Sequence, residues 1–460
     1  MKSNIRINAA LLAAIALMGI SCRPKQENIP IIDKALNDKA SAFYADFKSY
    51  PKSLAELPIG VFDSGTGGLT VLEKFLEMPE HRGEDFVYLA DQANMPYGRY
   101  DACGKSDYLR ELVVKDALFL LGRPVKIIVI GCNTATAYGL GSVRSMLEQS
   151  KTGVKVIGVI NAGVKATLDQ IGPSLDSCAI GVLATPGTIA SGAYERTIDE
   201  ECEKRGFNPQ TVVTNQKGYG FAEAVDAEPD FVNKSLTAPR ASYLGPHFGD
   251  DDADIRRELL PAYNFDMDGV LYTTASDGSY VEFQLNDASN YARFNLVSLV
   301  ERHRQSGCKL PIKAIIMGCT HYPFALETMK ETVEHLRSLC TDGGYPYRDL
   351  LCEDLIFIDP AAYTAQECFN ELRNDGNLSS GDTAATVSAF ISVPAPGLDP
   401  SCLTETGALT YNFKYGRETG TEEISTIQVP FSKDNVDAAT RERIHRLLPL
   451  SYSAIKTIQD

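Results

Sequence analysis

The chain has 460 residues, 44% of them apolar, which suits two or three globular domains better than one. A formal charge of −16 leaves no basic excess to neutralise phosphates and argues against a nucleic-acid-binding surface. Eleven cysteines at irregular spacing with no CxxC pair, and six scattered histidines with no HExxH, predict neither a disulfide framework nor a metal site.

At the N-terminus Lys2 and Arg6 precede the apolar run Ala9–Ile20, which ends in Ser21-Cys22. A basic start, a short apolar run and small residues form a secretory signal, and the run is too short to span a bilayer. A Cys directly after the small residues resembles the bacterial lipoprotein signal, in which cleavage leaves Cys22 N-terminal and lipid-modified. The expectation is an exported protein of the bacterial envelope with signal peptide 1–22, anchored to the membrane through Cys22. Ordinary secretion and an uncleaved anchor stay open. Residues 23–57, charged and with room for one helix, are expected to be a tether.

Next come short β-branched runs, each ending in small or polar residues: Ile59–Phe62, Ile127–Ile130, Lys155–Ile160, Ile180–Leu183, Ala314–Met317 and Asp354–Ile358. Such runs predict strands buried on both faces of a parallel sheet. Helix-like stretches, Ser106–Leu121 and Phe324–Leu339 among them, lie between, so the fold class is α/β. The runs pair up in order. Ile59–Thr66 parallels Ile180–Gly187, and Lys126–Cys132 parallels Lys313–Cys319, each of the latter ending in Gly-Cys. This duplication predicts two pseudo-symmetric α/β halves, 58–160 and 161–375, with parallel-type sheets facing across a central cleft. Asp63 to Cys132 spans 69 positions and Ala184 to Cys319 spans 135. The excess of 66 places an insertion, polar and rich in Tyr and Asp, at about 226–290, where it reads as a subdomain or lid. The acidic run Asp250-Asp251-Asp252 within it lacks the Gly and terminal Glu of a calcium loop. Residues 376–460 read as a β-rich extension, with alternating segments such as Leu409–Tyr415, followed by a helix from about Val436 to Leu447.

Ligands of open α/β sheets bind at the carboxyl ends of the strands, so two such halves would set Cys132 and Cys319 across the cleft. One reaction needs that placement. Inverting a carbon centre removes a proton from one face and returns one to the other, which a thiolate and a thiol on opposite faces can do. A free thiol has a pKa of about 8.5, so each needs tuning. Asp63, at its own strand end, and His321, two residues after the second Cys, are placed to hydrogen-bond the thiols. Ser64, Asn133, Thr134, Thr185 and Thr320 offer donors for a substrate carboxylate at the same strand ends. The loop Gly65-Thr66-Gly67-Gly68 lacks the Lys-Ser/Thr of a phosphate loop.

At these residues the chain resembles the aspartate/glutamate racemase family, and within it the glutamate branch. The matching motifs are Asp63-Ser64-Gly65-Thr66-Gly67-Gly68, Pro96-Tyr97-Gly98, Cys132-Asn133-Thr134-Ala135, Leu183-Ala184-Thr185 and Gly318-Cys319-Thr320-His321-Tyr322-Pro323. They cover roughly 59–225 and 308–362, and Thr-His-Tyr-Pro after the second Cys is the most specific. The resemblance implies a racemase that needs no PLP or other cofactor and acts on glutamate, or alternatively on aspartate or another acidic compound. A lipid-anchored amino-acid-binding protein without turnover is the alternative from a different class. It further implies Cys132 and Cys319 as the catalytic pair, with Asp63 and His321 beside them. Ser64, Tyr97, Gly98, Asn133, Thr134, Thr185 and Thr320 would be substrate contacts, and the family's habit of pairing implies a homodimer. Family members are usually cytoplasmic, where D-glutamate feeds peptidoglycan synthesis.

Overall fold

The computed structural model describes residues 29–172, 177–207 and 211–459. Cys22 and the expected signal peptide lie outside the described residues. Among the described residues no helix is long and apolar enough to cross a membrane.

Among the described residues twelve strands form two large sheets and a hairpin. Strands β1 (Ile59–Asp63), β2 (Phe86–Ala90), β3 (Ile127–Ile130) and β4 (Lys155–Gly158) belong to the first half. The second half holds β5 (Ala179–Ala184), β6 (Val212–Lys217), the hairpin pair β7 (Val270–Thr274) and β8 (Tyr280–Leu285), then β9 (Ile312–Gly318) and β10 (Leu351–Ile358). Strands β11 (Val387–Pro394) and β12 (Thr426–Pro430) come from the C-terminal segment. The first sheet runs β12-β11-β2-β1-β3-β4 and the second β10-β9-β5-β6. Without β11 and β12 the orders are β2-β1-β3-β4 and β6-β5-β9-β10, the same order in both halves. All pairings in these two sheets are parallel except β11 with β12.

The wholly apolar runs are central strands because helices cover both faces of each sheet: every residue of β1, β3 and β5 is buried. Helix Ser106–Leu121 forms as read from sequence, and Phe324–Leu339 becomes a short 3₁₀ turn followed by helix Leu326–Ser338. Lys155–Ile160 is shorter as a strand than expected, since helix Val159–Ile171 starts at its end.

Two segments differ from expectation. Residues 29–57 are not a free tether. Ile29, Ile31 and Ile32 pack into the core of the first half, and the Tyr50 hydroxyl donates to the Val125 carbonyl at 2.7 Å. The C-terminal segment supplies strands, as a β-rich extension should, and joins the first sheet. Its β11 pairs with β2, covering what would be an open sheet edge. Leu409–Tyr415, read as an alternating strand, instead contains helix Tyr411–Gly416, capped by the Thr410 hydroxyl. The later helix, Ala438–Leu447, starts at the Asp437 cap.

The insertion is a packed element. Phe231, Ile255, Tyr263, Phe283 and Leu285 join one apolar cluster with Tyr291, Phe294 and Val297 of helix Ala288–Gln305.

Candidate active site

The carboxyl ends of β1, β3, β5 and β9 converge where the two halves meet. Cys132 follows β3 and caps helix Asn133–Ser150, its Sγ accepting from the Ala135 N–H at 3.4 Å. Its thiol donates to Ser64 Oγ at 3.5 Å. Cys319 follows β9, with Sγ 3.5 Å from His321 Nδ1. Both thiols line one pocket with Ser64, Tyr97, Gly98, Asn133, Thr134, Thr185, Thr320 and His321. Asp63, the remaining expected site residue, lies beneath it with no exposed surface.

Polar contacts cross between the halves around this pocket. Thr320 Oγ1 donates to Asp63 Oδ2 at 3.3 Å. The Thr134 hydroxyl lies 2.9 Å from that of Thr185 and 3.0 Å from that of Thr188. The Tyr194 hydroxyl donates to Asn133 Oδ1 at 2.6 Å, which points the Asn133 amide N–H groups elsewhere. Gly67 permits the close approach of the first loop to the second half: a Cβ there would fall 2.5 Å from His321 Cε1.

Electrostatics act on Cys132 and on His321 beside Cys319. Burial, then the Asp63 charge, pushes the Cys132 thiol up to about 12, against the helix N–H and Ser64. His321 also resists charging through burial, yet Asp226 and Cys319 together hold its imidazole well above the ordinary histidine value. His321 Nε2 is 3.2 Å from Asp226 Oδ2. As an imidazolium, His321 donates from both ring nitrogens, one hydrogen aimed at Cys319 Sγ and one at Asp226. The arrangement therefore favours a thiol at Cys132 and sets a hydrogen-bond donor beside Cys319 Sγ.

Tyr97 is turned away from the cleft. Its hydroxyl lies 2.5 Å from Asp91 Oδ2 and 2.8 Å from Asp116 Oδ2. One hydroxyl proton serves one carboxylate. Burial and the Asp91 charge hold the Asp116 carboxyl well above its ordinary range, against the Tyr97 hydrogen bond, which favours its charge. What Tyr97 offers a ligand is the rest of the residue.

Asp226, Tyr194 and Thr188 were missed in the sequence. Asp226 ends a helix of five residues, Phe221–Val225, with no strand-end motif to mark it. Tyr194 and Thr188 follow Thr185 by 9 and 3 positions, and only the helices Pro186–Ala190 and Ala193–Arg205 bring them back to the cleft.

The pocket holds a volume of about 30 Å³, room for about one water. Beside it is a cavity of about 370 Å³ that shares Pro96, Gly98, Thr185 and Ala222 with it. Phe231, Leu244, Pro246 and His247 of the insertion, and Tyr411 of the C-terminal segment, form its outer wall. Among the described residues no cluster of three or more His, Cys, Asp or Glu side chains is placed to hold a metal ion.

Fold and site together define a protein of two repeated α/β halves that closes two cysteine thiols into one pocket. By sequence the chain is similar to glutamate racemases. It is 27% identical over 327 residues to glutamate racemase of Lactobacillus helveticus strain DPC 4571, covering 71% of this chain and 85% of that protein. It is 40% identical over 144 residues to glutamate racemase of Aquifex pyrophilus, covering 31% of this chain and 51% of that one. This higher-identity match spans about half the length of the relative. Among solved structures, glutamate racemase isoform RacE1 of Bacillus anthracis is 23% identical with a TM-score of 0.47, covering 73% of this chain and 89% of its own. The Francisella tularensis glutamate racemase in complex with D-glutamate is 22% identical with a TM-score of 0.46, covering 80% and 96%. No family model matches the chain.

Proposed function

We propose that the chain is a PLP-independent glutamate racemase that works by two-base chemistry at Cys132 and Cys319. The observation that carries the reading is the placement of both thiols, at the ends of equivalent strands, in one pocket lined by hydroxyl and amide donors. In one direction the Cys319 thiolate takes the α-proton and becomes a thiol. The electron pair of the broken C–H bond stays on the carbon, and the Cys132 S–H gives its proton to the opposite face and becomes a thiolate. The reverse direction exchanges the roles. The substrate ammonium brings a positive charge into the pocket, which favours thiolate at Cys132. The hydroxyls of Ser64, Thr134, Thr185 and Thr320 and the Asn133 amide are the donors for the carboxylates.

The test is solvent deuterium incorporation at the α-carbon of L- and D-glutamate under reducing conditions, in the wild type, C132S and C319S. Each Ser variant should lose racemisation by about 10²-fold or more, because a hydroxyl is a far weaker acid than a thiol. A variant that keeps more than roughly a tenth of the turnover sinks the two-base assignment. Turnover of aspartate or a larger acidic compound in place of glutamate would move the substrate, and binding without exchange would make the protein a binder.

We further propose that the chain is exported and held on the bacterial envelope by a lipid on Cys22, and that it works as a homodimer. The sequence Gly19-Ile20-Ser21-Cys22 after an apolar run supports the anchor. Wild-type protein should sediment with membranes and C22A should not; a wholly soluble wild type would refute the anchor.

A further inference from the structure

The Asp226–His321 pair has a third member, which comes from the far end of the chain. Helix Ala438–Leu447 is seated by buried Ile444. The next helix, Pro449–Ala454, is pinned at its start to Glu73, whose carboxylate accepts from the N–H groups of Leu450 at 3.0 Å and Ser451 at 2.7 Å. This seating brings the Arg443 side chain, 15% exposed, to the cleft. Its Nη2 is 2.7 Å from Asp226 Oδ1 and donates to Thr66 Oγ1 at 3.0 Å, while Nη1 donates to the Val225 carbonyl. Thr66 belongs to the first half, in the loop that follows Asp63 and Ser64. Val225 and Asp226 belong to the second.

We propose that Arg443 is a positioning residue of this site, holding the Asp226 carboxylate against His321 and latching the Asp63 loop of one half to the Asp226 turn of the other. The inference rests on the reading of the pocket as a two-base racemase site. Asp226 is a buried carboxylate shared by two cations, with one oxygen for the imidazole and one for the guanidinium. With one oxygen engaged by Arg443, the other has a fixed direction, and so has the His321 ring between Asp226 and Cys319. The helix that delivers Arg443 lies outside the repeated halves, so the C-terminal segment does more than close a sheet edge.

A charge in this position has a signature that a packing contact lacks. The ionisable groups facing the triad are Cys319, Asp63, Tyr88, Glu223 and Glu228 on the cleft side and Asp437 at the cap of Arg443's own helix. Removing a cation raises the proton affinity of every nearby group. Loss of the Arg443 charge therefore moves both limbs of the activity profile to higher pH: Asp226 protonates more readily, and His321 holds its proton longer.

The experiment compares wild type with R443M, R443Q and R443K, using R446M on the exposed side of the same helix as a control. The His321 ring is titrated by NMR, its signal assigned by its absence in H321Q, and kcat/KM is followed against pH in both directions. R443M and R443Q should shift the His321 titration and the profile upward by about 1 pH unit or more. R443K should keep both near the wild-type position while losing rate, because an ammonium lacks the planar fork. R443Q keeps a donor for Thr66 and Val225, which guards against a result due only to lost folding. An unmoved His321 titration in a folded R443M or R443Q overturns the proposal. So does a profile that loses height without shifting, which would make Arg443 a mere clamp. If the wild type racemises nothing, the proposed function fails, and the His321 titration still decides whether Arg443 acts on the pair.

Discussion

Burial pushes the Asp63 carboxyl up to about 6, against His321, the Gly65 N–H and the Thr320 hydroxyl, which favour its charge. An unfolded aspartate titrates near 3.9. Between about pH 4 and 6 the unfolded chain has already lost this proton while the native state keeps it, so stability falls as pH rises through that window. The predicted loss is about 3 kcal/mol, complete above the native value. D63N cannot ionise and should escape it, so the Tm of the wild type relative to D63N should fall between pH 4 and 7. A constant difference over that range would show that Asp63 titrates normally. Activity should run the other way. The carboxylate form, whose charge works to raise Cys132, dominates only above about pH 6, so kcat/KM should decline below it in the wild type. At this scale the sequence was most informative where chemistry sits next to a strand end, since an apolar run followed by Gly-Cys or Asp-Ser fixes both the element and the direction its last residue faces. Asp226 and Arg443 carry no such mark. Each is an ordinary charged residue on a short or distant helix, and only tertiary packing brings them to His321.

Elements show the same division. Central strands were legible because burial on both faces leaves continuous apolar runs. β6 was not, because it is an edge strand of the second sheet and its sequence, Val-Val-Thr-Asn-Gln-Lys, is two-thirds polar. β11 was obscured by its place in a segment rich in Pro, Ser and Gly, and its partner β2 lies some 300 residues away in sequence. The insertion left a subdomain and a lid both open in the sequence. Its aromatic residues are gathered inward: Phe283 is 2% exposed, with ring centroids of Phe248 at 5.1 Å, Tyr280 at 5.3 Å and Phe265 at 5.6 Å. Phe283→Ala should therefore cost about 3–5 kcal/mol, the range for emptying a packed aromatic site. Urea unfolding would measure it, and a loss below about 1 kcal/mol would return the insertion to the status of a loose decoration. Excising the whole segment would also uncover the face of helix Ala288–Gln305, so point variants are the better probe of its wall on the outer cavity.

At the scale of the whole molecule, the chain passes between halves through helix Val159–Ile171 and again through helix Pro360–Asn374. These two helices pack together: a Cβ on Gly163 would stand 3.0 Å from Pro360. The far helix also sets Ala365, Cys368 and Phe369 against the first sheet, although it follows the last strand of the second half. This side of the cleft combines apolar packing with the Lys165–Glu367 ion pair at 2.9 Å. The opposite side is closed by hydroxyl, amide and guanidinium contacts, among them Thr320 to Asp63, Thr134 to Thr185, Tyr194 to Asn133 and Arg443 to Thr66. Such hydrogen bonds contribute about 1 kcal/mol each, and water can replace them. A hinge at the paired helices with parting along the polar seam is the motion the proposed racemase requires, because a pocket of about 30 Å³ does not admit an amino acid. Access to the thiols should follow that opening. With iodoacetamide, exposed Cys340 should react at the rate of a free thiol, while Cys132 and Cys319, each 7% exposed, should react roughly tenfold more slowly or less. Saturating glutamate should slow the pair further and leave Cys340 unchanged. Peptide mass spectrometry at timed quenches reads all three sites in one experiment. Cleft thiols that react as fast as Cys340, or that ignore glutamate, would mean that the polar seam does not gate the site.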